Sequence, residues 1–264
     1  MNDARTQKLV LLAQRGDHAN IVYNALAPRY PITAVLLEGR VGSWTLIQRR
    51  MKRLGVWKTL GQVVFRVGIA PLLALAARAR TAELMREYGL TTSAIPAGKI
   101  ETVASVNSPE CMAALARLSP DIVIVAGTRI LSEAALAAAP GAVFVNIHAG
   151  ITPLYRGVHG GYWALAENDA AHCGVTVHVV DQGIDTGGIL AQAPITPALT
   201  TRDNFATYGL LQTATGLALL RDTVLPRLIA GDRATQPAPA GESRLWSHPT
   251  AWEYVRTRVQ RGVK

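Results

Sequence analysis

The chain has 264 residues, of which 49% are hydrophobic and 17% charged. This length suits one large domain, or a core domain with additions, and the composition is that of a soluble globular protein. Its two cysteines, Cys111 and Cys173, allow one bridge at most, and without a CxxC or Cys/His cluster they exclude a disulfide framework and a zinc site. The N-terminus has no signal-peptide pattern, so we expect a cytoplasmic protein.

The net charge of +9 is concentrated in one segment. Residues 39–82 contain no Asp or Glu, while the other 18 basic residues of the chain are matched by its 18 acidic residues. The basic residues of the segment are Arg40, Arg49, Arg50, Lys52, Arg53, Lys58, Arg66, Arg78 and Arg80. The excess charge is therefore a local feature and does not describe the rest of the surface.

Short apolar runs of strand length alternate with helical patterns along most of the chain. Strands are predicted at residues 8–14, 32–37, 121–127, 142–147, 174–180 and 188–195, and helices at 81–88, 109–118, 131–139, 202–229 and 250–259, with one more after the first strand. This alternation predicts an α/β fold, a doubly wound, mostly parallel sheet flanked by helices. We expect a catalytic domain over residues 1–200, followed by a C-terminal helix and short extension over 201–264.

Residues 39–82 interrupt this alternation and form a basic insert. Within the insert, an uninterrupted apolar run of 11 residues (67–77) lies between Arg66 and Arg78. A membrane span needs about 20 such residues, so we expect a buried or interfacial helix instead. Apolar and basic residues alternate along 44–57 as on a surface-lying amphipathic helix. Two interpretations stay open for the insert, which are peripheral contact with an anionic membrane and a basic lid that contacts the acceptor's phosphates.

Polar side chains stand at the end of one apolar strand. Asn146 and His148 are two residues apart, so the period-2 geometry of a strand points both to the same face. Ligands of open parallel sheets bind beyond the carboxyl ends of the strands. The glycine-rich turn at 181–188 leaves a later strand and can bring Asp185 over this pair. The sequence therefore predicts a site built from an amide, an imidazole and a carboxylate.

These groups suit acyl transfer to an amine. When a neutral amine attacks a formyl carbon, the carbonyl oxygen becomes an oxyanion, and each donor placed on it contributes about 3 kcal/mol. Asn146 can donate through its amide and His148 as an imidazolium. Asp185 can orient the imidazole, raise its pKa and pass the amine proton to water.

Two motifs carry a family resemblance. Residues 146–157 and 174–187 read N-I-H-A-(x)2-T-P-L-Y-R-G and G-V-T-V-H-V-V-D-Q-G-I-D-T-G, and they resemble the signature of the formyltransferases that use 10-formyltetrahydrofolate. The resemblance covers residues 120–195 and is absent from the insert. It implies the formyltransferase fold, 10-formyltetrahydrofolate as cosubstrate, a homodimer, and catalytic roles for Asn146, His148 and Asp185. The sequence has no cluster with metal-ligand spacing, so we expect no metal requirement.

The resemblance also implies a folate pocket. One side of it is the loop after the strand at 121–127, where the backbone grips the pterin, and the other side is the turn before Asp185. The residues concerned are Gly127, Thr128, Arg129, Ile130 and Leu131 on the loop, and Asp181, Gln182, Gly183 and Ile184 on the turn. Because backbone groups make the contacts, the side chain of Arg129 can equally be an ordinary surface arginine.

Departures from the family narrow the acceptor. The loop at 14–20 has a single glycine, too few for the phosphate-binding loop of glycinamide ribonucleotide transformylase. The C-terminal barrel of methionyl-tRNA formyltransferase and the regulatory domain of the folate hydrolases are not expected here. The chain therefore resembles the sugar N-formyltransferases, which act on nucleotide-linked amino sugars. Near the acceptor we expect Arg15, Asp17 and His18, with Tyr155 and His159 as secondary candidates, while His172, His178 and His248 are expected to be structural.

Two further alternatives stay open. The acceptor can be another small amine, such as an amino acid derivative, a lipid-linked amino sugar or glycinamide ribonucleotide. The chain can also be a non-catalytic protein that binds a membrane or nucleic acid on this scaffold. The intact trio of Asn146, His148 and Asp185 argues against the second alternative. No nucleic-acid recognition motif accompanies the basic charge, so no nucleic-acid partner is expected.

Overall fold

The computed structural model describes residues 7–39 and 42–264. Arg40 and the side chain of Arg49, two of the basic residues of the insert, lie outside this description, as does the N-terminal segment 1–6. The strands are β1 (Leu9–Gln14), β2 (Ile32–Glu38), β3 (Ile100–Val103), β4 (Ile122–Ala126), β5 (Val143–His148), β6 (Arg156–Gly157), β7 (Gly174–Val179), β8 (Ile189–Pro194) and β9 (Leu245–Trp246).

The helices fill the connections between these strands. They are α1 (Asp17–Leu26), α2 (Ser43–Leu54), α3 (Val56–Val64), α4 (Ala70–Ala76), α5 (Arg78–Glu87), α6 (Pro109–Leu118), α7 (Glu133–Ala137), α8 (Gly160–Ala166), α9 (Phe205–Leu219), α10 (Leu225–Ile229) and α11 (Ala251–Arg261). Short 3₁₀ helices lie at Ala97–Lys99, Ala170–His172 and Thr196–Ala198. Two π-helical segments, Phe65–Ile69 and Leu220–Val224, join α3 to α4 and α9 to α10.

The main sheet has seven strands in the order β3-β2-β1-β4-β5-β7-β8. The first five are parallel, and β7 and β8 are antiparallel to their neighbours. The central strands β1 and β4 are apolar and almost wholly buried, as expected for a parallel sheet covered on both faces. One apolar core lies on each face of the sheet. The prediction of a doubly wound, mostly parallel sheet is thus confirmed.

Some elements differ from the sequence prediction. Strand β3, helix α8 and the two-stranded β6–β9 sheet were not predicted, because each is short or carries little apolar patterning. The helix predicted at 202–229 contains the π segment Leu220–Val224 and begins at Phe205. Its first part packs on β5, β7 and β8, where Gly216 leaves room for the side chains of Ile147 and Val175. The C-terminal part of the chain therefore completes the cover of the sheet.

The insert is helical, and its second half is longer than the sequence pattern indicated. α3, the π segment and α4 form one helix, Val56–Ala76, which we call the insert helix; its 21 residues make it long and apolar enough to cross a membrane by length and composition alone. The apolar run of residues 67–77 is therefore only the second half of a longer helix, which also contains Lys58 and Arg66. Its inner side packs on α9 and α11, with Phe65 against the rings of Phe205 and Tyr254.

Arg80 does not belong to the exposed charge of the insert. Its side chain is only 7% exposed, and its Nε lies 3.1 Å from Oδ1 of Asp203, which is buried too. Glu83 adds a second contact at 2.9 Å. Asp203 also accepts hydrogen bonds from the backbone and hydroxyl of Thr200. This ion pair joins α5 to the segment that precedes α9, so it stabilises the junction between the insert and the core.

We predict that Asp203→Ala lowers the free energy of unfolding by about 3–5 kcal/mol, because it leaves the buried guanidinium of Arg80 without its main partner. Burial alone would raise the pKa of Asp203, but hydrogen bonds from Arg80 and Thr200 lower it. The stabilisation is therefore present at neutral pH and is lost as the pH falls below the ordinary value of 3.8. Urea unfolding at pH 7 and pH 3 measures both effects.

The control variant is Glu101→Ala, which removes the exposed pair between Glu101 and Arg117. Exposed pairs contribute about 1 kcal/mol or less, so this variant should unfold nearly as the parent does. Equal losses in the two variants would contradict a special role for the buried pair.

Candidate active site

The end of β5 and the turn after β7 bring the predicted trio together. Asn146 and His148 face β7, where they pair in register with His178 and Thr176. Asp185 lies on the turn between β7 and β8, at a backbone φ of 52°. This left-handed conformation is uncommon outside glycine, although Asp and Asn tolerate it better than most residues. It turns the carboxylate of Asp185 back toward β5.

His148 and Asp185 form the closest pair of the trio. Nδ1 of His148 lies 3.3 Å from Oδ2 of Asp185, and Nε2 of His148 lies 2.7 Å from the carbonyl oxygen of Tyr155. Because a carbonyl can only accept, Nε2 is the nitrogen that donates to Tyr155. Nδ1 therefore faces the carboxylate, and a hydrogen bond between them requires one shared proton. The backbone N–H of Gly157 donates to the same Oδ2 at 2.9 Å, which fixes the carboxylate.

His178 completes the arrangement, contrary to the expectation that it is only structural. Its Nδ1 lies 2.8 Å from the carbonyl oxygen of Val179, and its Nε2 lies 3.2 Å from Nδ2 of Asn146. With the proton on Nδ1, Nε2 accepts from the amide of Asn146 and so sets the direction of that amide. Nε2 is also 3.6 Å from Oδ1 of Asp185. His178 belongs to the second sequence motif, but only the pairing of β5 with β7 shows that it lies beside Asn146.

Burial decides the protonation of the pair. It lowers the pKa of His148, although the charge of Asp185 and the hydrogen bond to Tyr155 oppose this effect. As expected, the charge of Asp185 acts to raise the pKa of His148. The effect of burial is larger, so the pKa of His148 is lowered. For Asp185, burial raises the pKa, whereas His178, His148 and the Gly157 N–H together lower it below its ordinary value. The carboxylate is therefore charged beside an imidazole that gains a proton reluctantly.

A pocket of about 420 Å³ surrounds this group. It contains all three members of the trio together with His178 and His18. Of the residues predicted to bind the cofactor, it is lined by Gly127, Thr128, Arg129, Ile130, Leu131, Asp181, Gly183 and Ile184, and Gln182 is exposed beside it. A larger cleft of about 510 Å³ lies between α8, β9 and α11 but contains none of the trio. Because the chemistry lies in the smaller pocket, we take that one as the candidate active site.

The loop at 127–131 is held by a buried carboxylate. Glu38, at the end of β2, is fully buried and accepts from the backbone N–H of Arg129 at 2.7 Å and from its guanidinium at 2.8 Å. The guanidinium also donates to the carbonyl oxygens of Ala104 and Gly39. Arg129 is therefore not a free surface arginine. Its side chain ties the loop to two neighbouring strand ends and leaves the loop backbone to line the pocket.

The opposite wall is a tight turn. Asp181 accepts from the backbone N–H of Gly183 at 3.0 Å and from the hydroxyl of Thr186 at 2.7 Å. A Cβ at Gly187 would overlap the carbonyl of Val179, so this position requires glycine. Asp181 therefore closes the turn on itself, and its role is to hold the turn that presents Asp185.

The residues predicted near the acceptor do not all reach the pocket. His18 lines it beside Gly127, whereas Asp17 is exposed on the first turn of α1 outside it. Arg15 is also exposed, and its guanidinium donates to the hydroxyl of Thr102 at 3.0 Å. Tyr155 is buried, and its hydroxyl donates to Asp169, so only its carbonyl oxygen belongs to the site. Asp169 also contacts His172, which is consistent with a structural role for that histidine.

His159 lies next to the site and is paired with a histidine from the C-terminal segment. Its Nε2 is 2.9 Å from Nδ1 of His248, a residue that the sequence did not connect with the site. Burial, with the charge of Arg50, lowers the pKa of His159 to about 4. Burial, His159 and two arginines lower the pKa of His248 to about 3. Both rings are therefore neutral at pH 7, and one donates to the other.

Over residues 7–39 and 42–264, no group of three or more His, Cys, Asp and Glu side chains has the arrangement of a metal site. The polar side chains of the site are the amide of Asn146, the imidazoles of His148 and His178, and the carboxylate of Asp185, which accepts a hydrogen bond from a backbone N–H.

The comparisons with known proteins agree with this geometry. The formyl transferase family matches residues 66–208. The methionyl-tRNA formyltransferase of Levilactobacillus brevis is 30% identical over 177 residues, which cover 62% of this chain and 52% of that protein. The chain thus spans about half the length of this relative. Identity reaches 44% with the Synechococcus sp. methionyl-tRNA formyltransferase, but over 95 residues only, 35% of this chain and 29% of that one.

Solved structures share the fold at low sequence identity. Phosphoribosylglycinamide formyltransferase from Streptococcus pneumoniae superposes with a TM-score of 0.52 at 20% identity, covering 84% of this chain and 99% of that one. A 4-N formyltransferase from Francisella tularensis gives a TM-score of 0.52 at 14% identity, covering 91% and 76%. The chain thus shares the α/β fold of these solved formyltransferases. The chain belongs to the formyl transferase family.

We predict that His178→Ala lowers kcat about 10–100-fold, less than loss of an oxyanion donor itself, because it removes the acceptor that directs the amide of Asn146. On this prediction His178 acts through Asn146 as a positioning residue, and the KM for 10-formyltetrahydrofolate, the cosubstrate that the family resemblance implies, should stay nearly constant. His178→Gln keeps an acceptor near the same place and should recover part of the loss. Steady-state kinetics of both variants, with His172→Ala as a surface control, provide the measurement. Equal activity of His178→Ala and the parent would contradict this role.

Proposed function

We propose that this enzyme transfers the formyl group of 10-formyltetrahydrofolate to the primary amine of a small acceptor, most specifically a nucleotide-linked amino sugar. The observation that carries the proposal is the convergence of Asn146, His148 and Asp185 in one pocket with the loop 127–131. We also propose that the enzyme works in the cytoplasm as a homodimer and without a metal.

The pocket suits the folate cosubstrate. Its volume of about 420 Å³ falls within the roughly 300–1,000 Å³ typical of small-molecule sites. Ile130, Leu131 and Val180 give it apolar walls, and the anchored loop supplies backbone donors and acceptors. We propose that the pterin lies against this loop, with the formyl group toward β5.

The trio can catalyse the transfer in the following steps. The amine nitrogen attacks the formyl carbon, a new C–N bond forms, and the bond from that carbon to the folate nitrogen breaks. Asn146, directed by His178, donates to the developing oxyanion. The proton that leaves the amine passes toward the His148–Asp185 pair, and one proton returns to the folate nitrogen as it leaves. The low pKa of the buried imidazole favours release of that proton in each cycle.

The proposed acceptor class rests on the loop between β1 and α1. The relatives include enzymes named for methionyl-tRNA and phosphoribosylglycinamide and one named a 4-N formyltransferase. An amino sugar is supported by the loop between β1 and α1, where Gly16 is the one glycine and Arg15 turns to Thr102. Such a loop offers few free N–H groups for the phosphate of a ribonucleotide. Other small amines, glycinamide ribonucleotide among them, are alternative outcomes of an acceptor screen.

We predict that His148→Asn and Asp185→Asn each lower kcat at least about 100-fold in a formyl-transfer assay, while the protein remains folded. Asp222→Asn is the control, since that carboxylate is exposed, pairs with Arg29 and does not line the pocket. A screen of nucleotide-linked 3-amino and 4-amino sugars with 10-formyltetrahydrofolate identifies the acceptor, and chelators should leave the rate unchanged. Near-parental activity in both trio variants would contradict the assignment. So would the absence of formyl transfer to every amine tested.

A second proposal is peripheral membrane contact through the insert helix. Only 22% of its most apolar stretch is buried, and Trp57, Leu60, Val64 and Val67 are each 47–77% exposed. These residues follow one another at helical spacing of three or four, so they form one stripe. Within α3, the buried positions are instead Thr59, Gly61 and Gln62, so this part of the helix carries its apolar side chains outward. An exposed stripe of this kind marks an interaction surface.

The charges around the stripe favour an anionic bilayer as the partner. Lys52, Arg53, Lys58 and Arg78 are exposed, and in the described part of the chain none of them pairs with an acid. A second copy of the same face would bring these cations together, which disfavours a dimer through this surface. Each cation near an anionic leaflet contributes about 1 kcal/mol. The helix also packs on α9 and α11 through Phe65, which fits a helix lying on a membrane better than one crossing it.

We predict that the full-length enzyme sediments with vesicles of anionic lipid and not with neutral vesicles at physiological salt. Replacing Leu60, Val64 and Val67 by Ser should reduce the bound fraction at least about fivefold, because the stripe loses its apolar area. The matched control replaces Val255 and Val259, which are 50% and 78% exposed on α11. Equal binding by both variants, or no binding by the parent, would rule out contact through this stripe.

A further inference from the structure

A small cavity lies between α2 and the insert helix, outside the pocket of the trio. Its volume is about 170 Å³, and its polar walls are Arg50, Arg66, Thr59 and Gln62. Three aliphatic side chains complete it, including Val67, which is 72% exposed. The volume is well below the roughly 300–1,000 Å³ of a site for a whole drug-sized ligand. It suits one charged group of a ligand.

The two arginines of the cavity have no counter-ion from the protein. Residues 39–82 contain no acid, and within the described chain neither Arg50 nor Arg66 forms an ion pair. Burial and the charges of Arg66 and Arg53 lower the pKa of Arg50. Guanidinium groups do not lose their proton in proteins, so the repulsion remains unless an anion binds between them. Arginine pairs are well suited to phosphate because they bind its oxygens in a bidentate manner.

Gln62 adds a second polar feature. Its side chain is 2% exposed, and its Nε2 donates to the carbonyl oxygen of His248 at 2.7 Å and to the hydroxyl of Ser247 at 3.2 Å. Its Oε1, by contrast, is buried without any hydrogen-bond partner. A buried acceptor left unpaired costs free energy and calls for a donor. A ligand that offers both a phosphate and a hydroxyl group would satisfy the arginines and this oxygen together.

The cavity is connected to the active site by a short series of contacts. Gln62 contacts His248, and His248 contacts His159 at 2.9 Å. Gly160, which follows His159, packs closely on Gly150, and Gly150 packs on Nε2 of the catalytic His148. Both histidines of this series are neutral at pH 7, so the positive charge on this side of the site comes from the arginines.

We propose that the cavity formed by Arg50, Arg66 and Gln62 binds a phosphate group of the amine acceptor and so determines which amines the enzyme formylates. The proposal rests on the proposed formyl transfer, since it places the acceptor between this cavity and His148. The phosphate has two chemical sources, a soluble sugar phosphate or nucleotide and a lipid phosphate in a bilayer. Val67 belongs to both the cavity and the apolar stripe, so a lipid phosphate would reach the cavity from the membrane side.

The first test measures binding of inorganic phosphate to the full chain by calorimetry, without folate or amine. Arg50→Gln and Arg66→Gln should weaken binding at least about tenfold. Lys52→Gln and Arg78→Gln remove exposed cations that do not line the cavity, and they should bind within about twofold of the parent. An equal loss in all four variants would show attraction by bulk charge only and would overturn the proposal, as would the absence of phosphate binding by the parent.

Gln62→Glu keeps the size of the side chain but places a carboxylate beside the arginines. This variant should abolish phosphate binding and still melt at or above the temperature of the parent, since it supplies the missing counter-ion. Loss of binding together with a lower melting temperature would indicate a folding defect in this variant. In that case Arg50→Lys tests the site, because it keeps the charge but loses the bidentate geometry. Parental phosphate affinity in Arg50→Lys would overturn the proposal.

The second test uses the acceptor that the screen identifies. Arg50→Gln should raise the KM for the phosphorylated amine at least about tenfold with kcat within about threefold, and it should leave the KM for the same amine without phosphate unchanged. Competition by a soluble sugar phosphate, but not by phosphatidic acid vesicles, identifies a soluble acceptor, and the reverse identifies a bilayer-anchored one. If neither competes with inorganic phosphate, the cavity does not serve an acceptor. If formyl transfer itself is not observed, the proposed function fails, whereas the calorimetric experiment still tests phosphate binding by the cavity.

Discussion

The antiparallel register of β5 against β7 is the constraint on which the site depends. It places His178 opposite Asn146 and Thr176 opposite His148. Because side chains alternate between the faces of a strand, a slip of β7 by one residue would turn His178 and Thr176 to the other face of the sheet. The hydroxyl of Thr176 stabilises this register, since it donates to the carbonyl oxygen of Gly150 and accepts from the N–H of Thr152. The turn that carries Asp185 then needs only to fold back over a strand end that is already fixed.

Buried charges are balanced by ion pairs around the sheet but not in the insert. Around the sheet, the buried carboxylates of Glu38 and Asp203 are paired with Arg129 and Arg80. In the trio, the only charge is the carboxylate of Asp185, which accepts a hydrogen bond from the N–H of Gly157 and lies beside two imidazoles. The insert shows the opposite, because arginines approach each other there without an acid. Unbalanced charge costs stability, so its presence is more consistent with binding than with folding.

Features that depend on local patterns are predicted well from the sequence, whereas features that depend on pairing in three dimensions are predicted poorly. Apolar runs located the parallel strands, and the motifs located the trio, because each depends on neighbours in the chain. The role of His178 depends on a partner strand, and the burial of Arg80 depends on Asp203, 123 residues away. Tyr155 was expected near the acceptor from its position in the motif, yet its hydroxyl turns to Asp169. The length of the insert helix was underestimated because isolated cations do not end a helix.

The position of the insert separates two tasks. The trio and the loop 127–131 lie at the strand ends of the sheet, and both fall within the part of the chain that matches the family. The insert leaves the chain after β2 but packs on the C-terminal segment, where Gln62 contacts Ser247 and His248. It therefore approaches the site from the side of His159 and not from the loop 127–131. A segment placed in this way can change the acceptor without disturbing the chemistry, because no residue of the insert contributes to the trio or its hydrogen bonds in the described part of the chain. This separation is what a family whose members act on different amines requires.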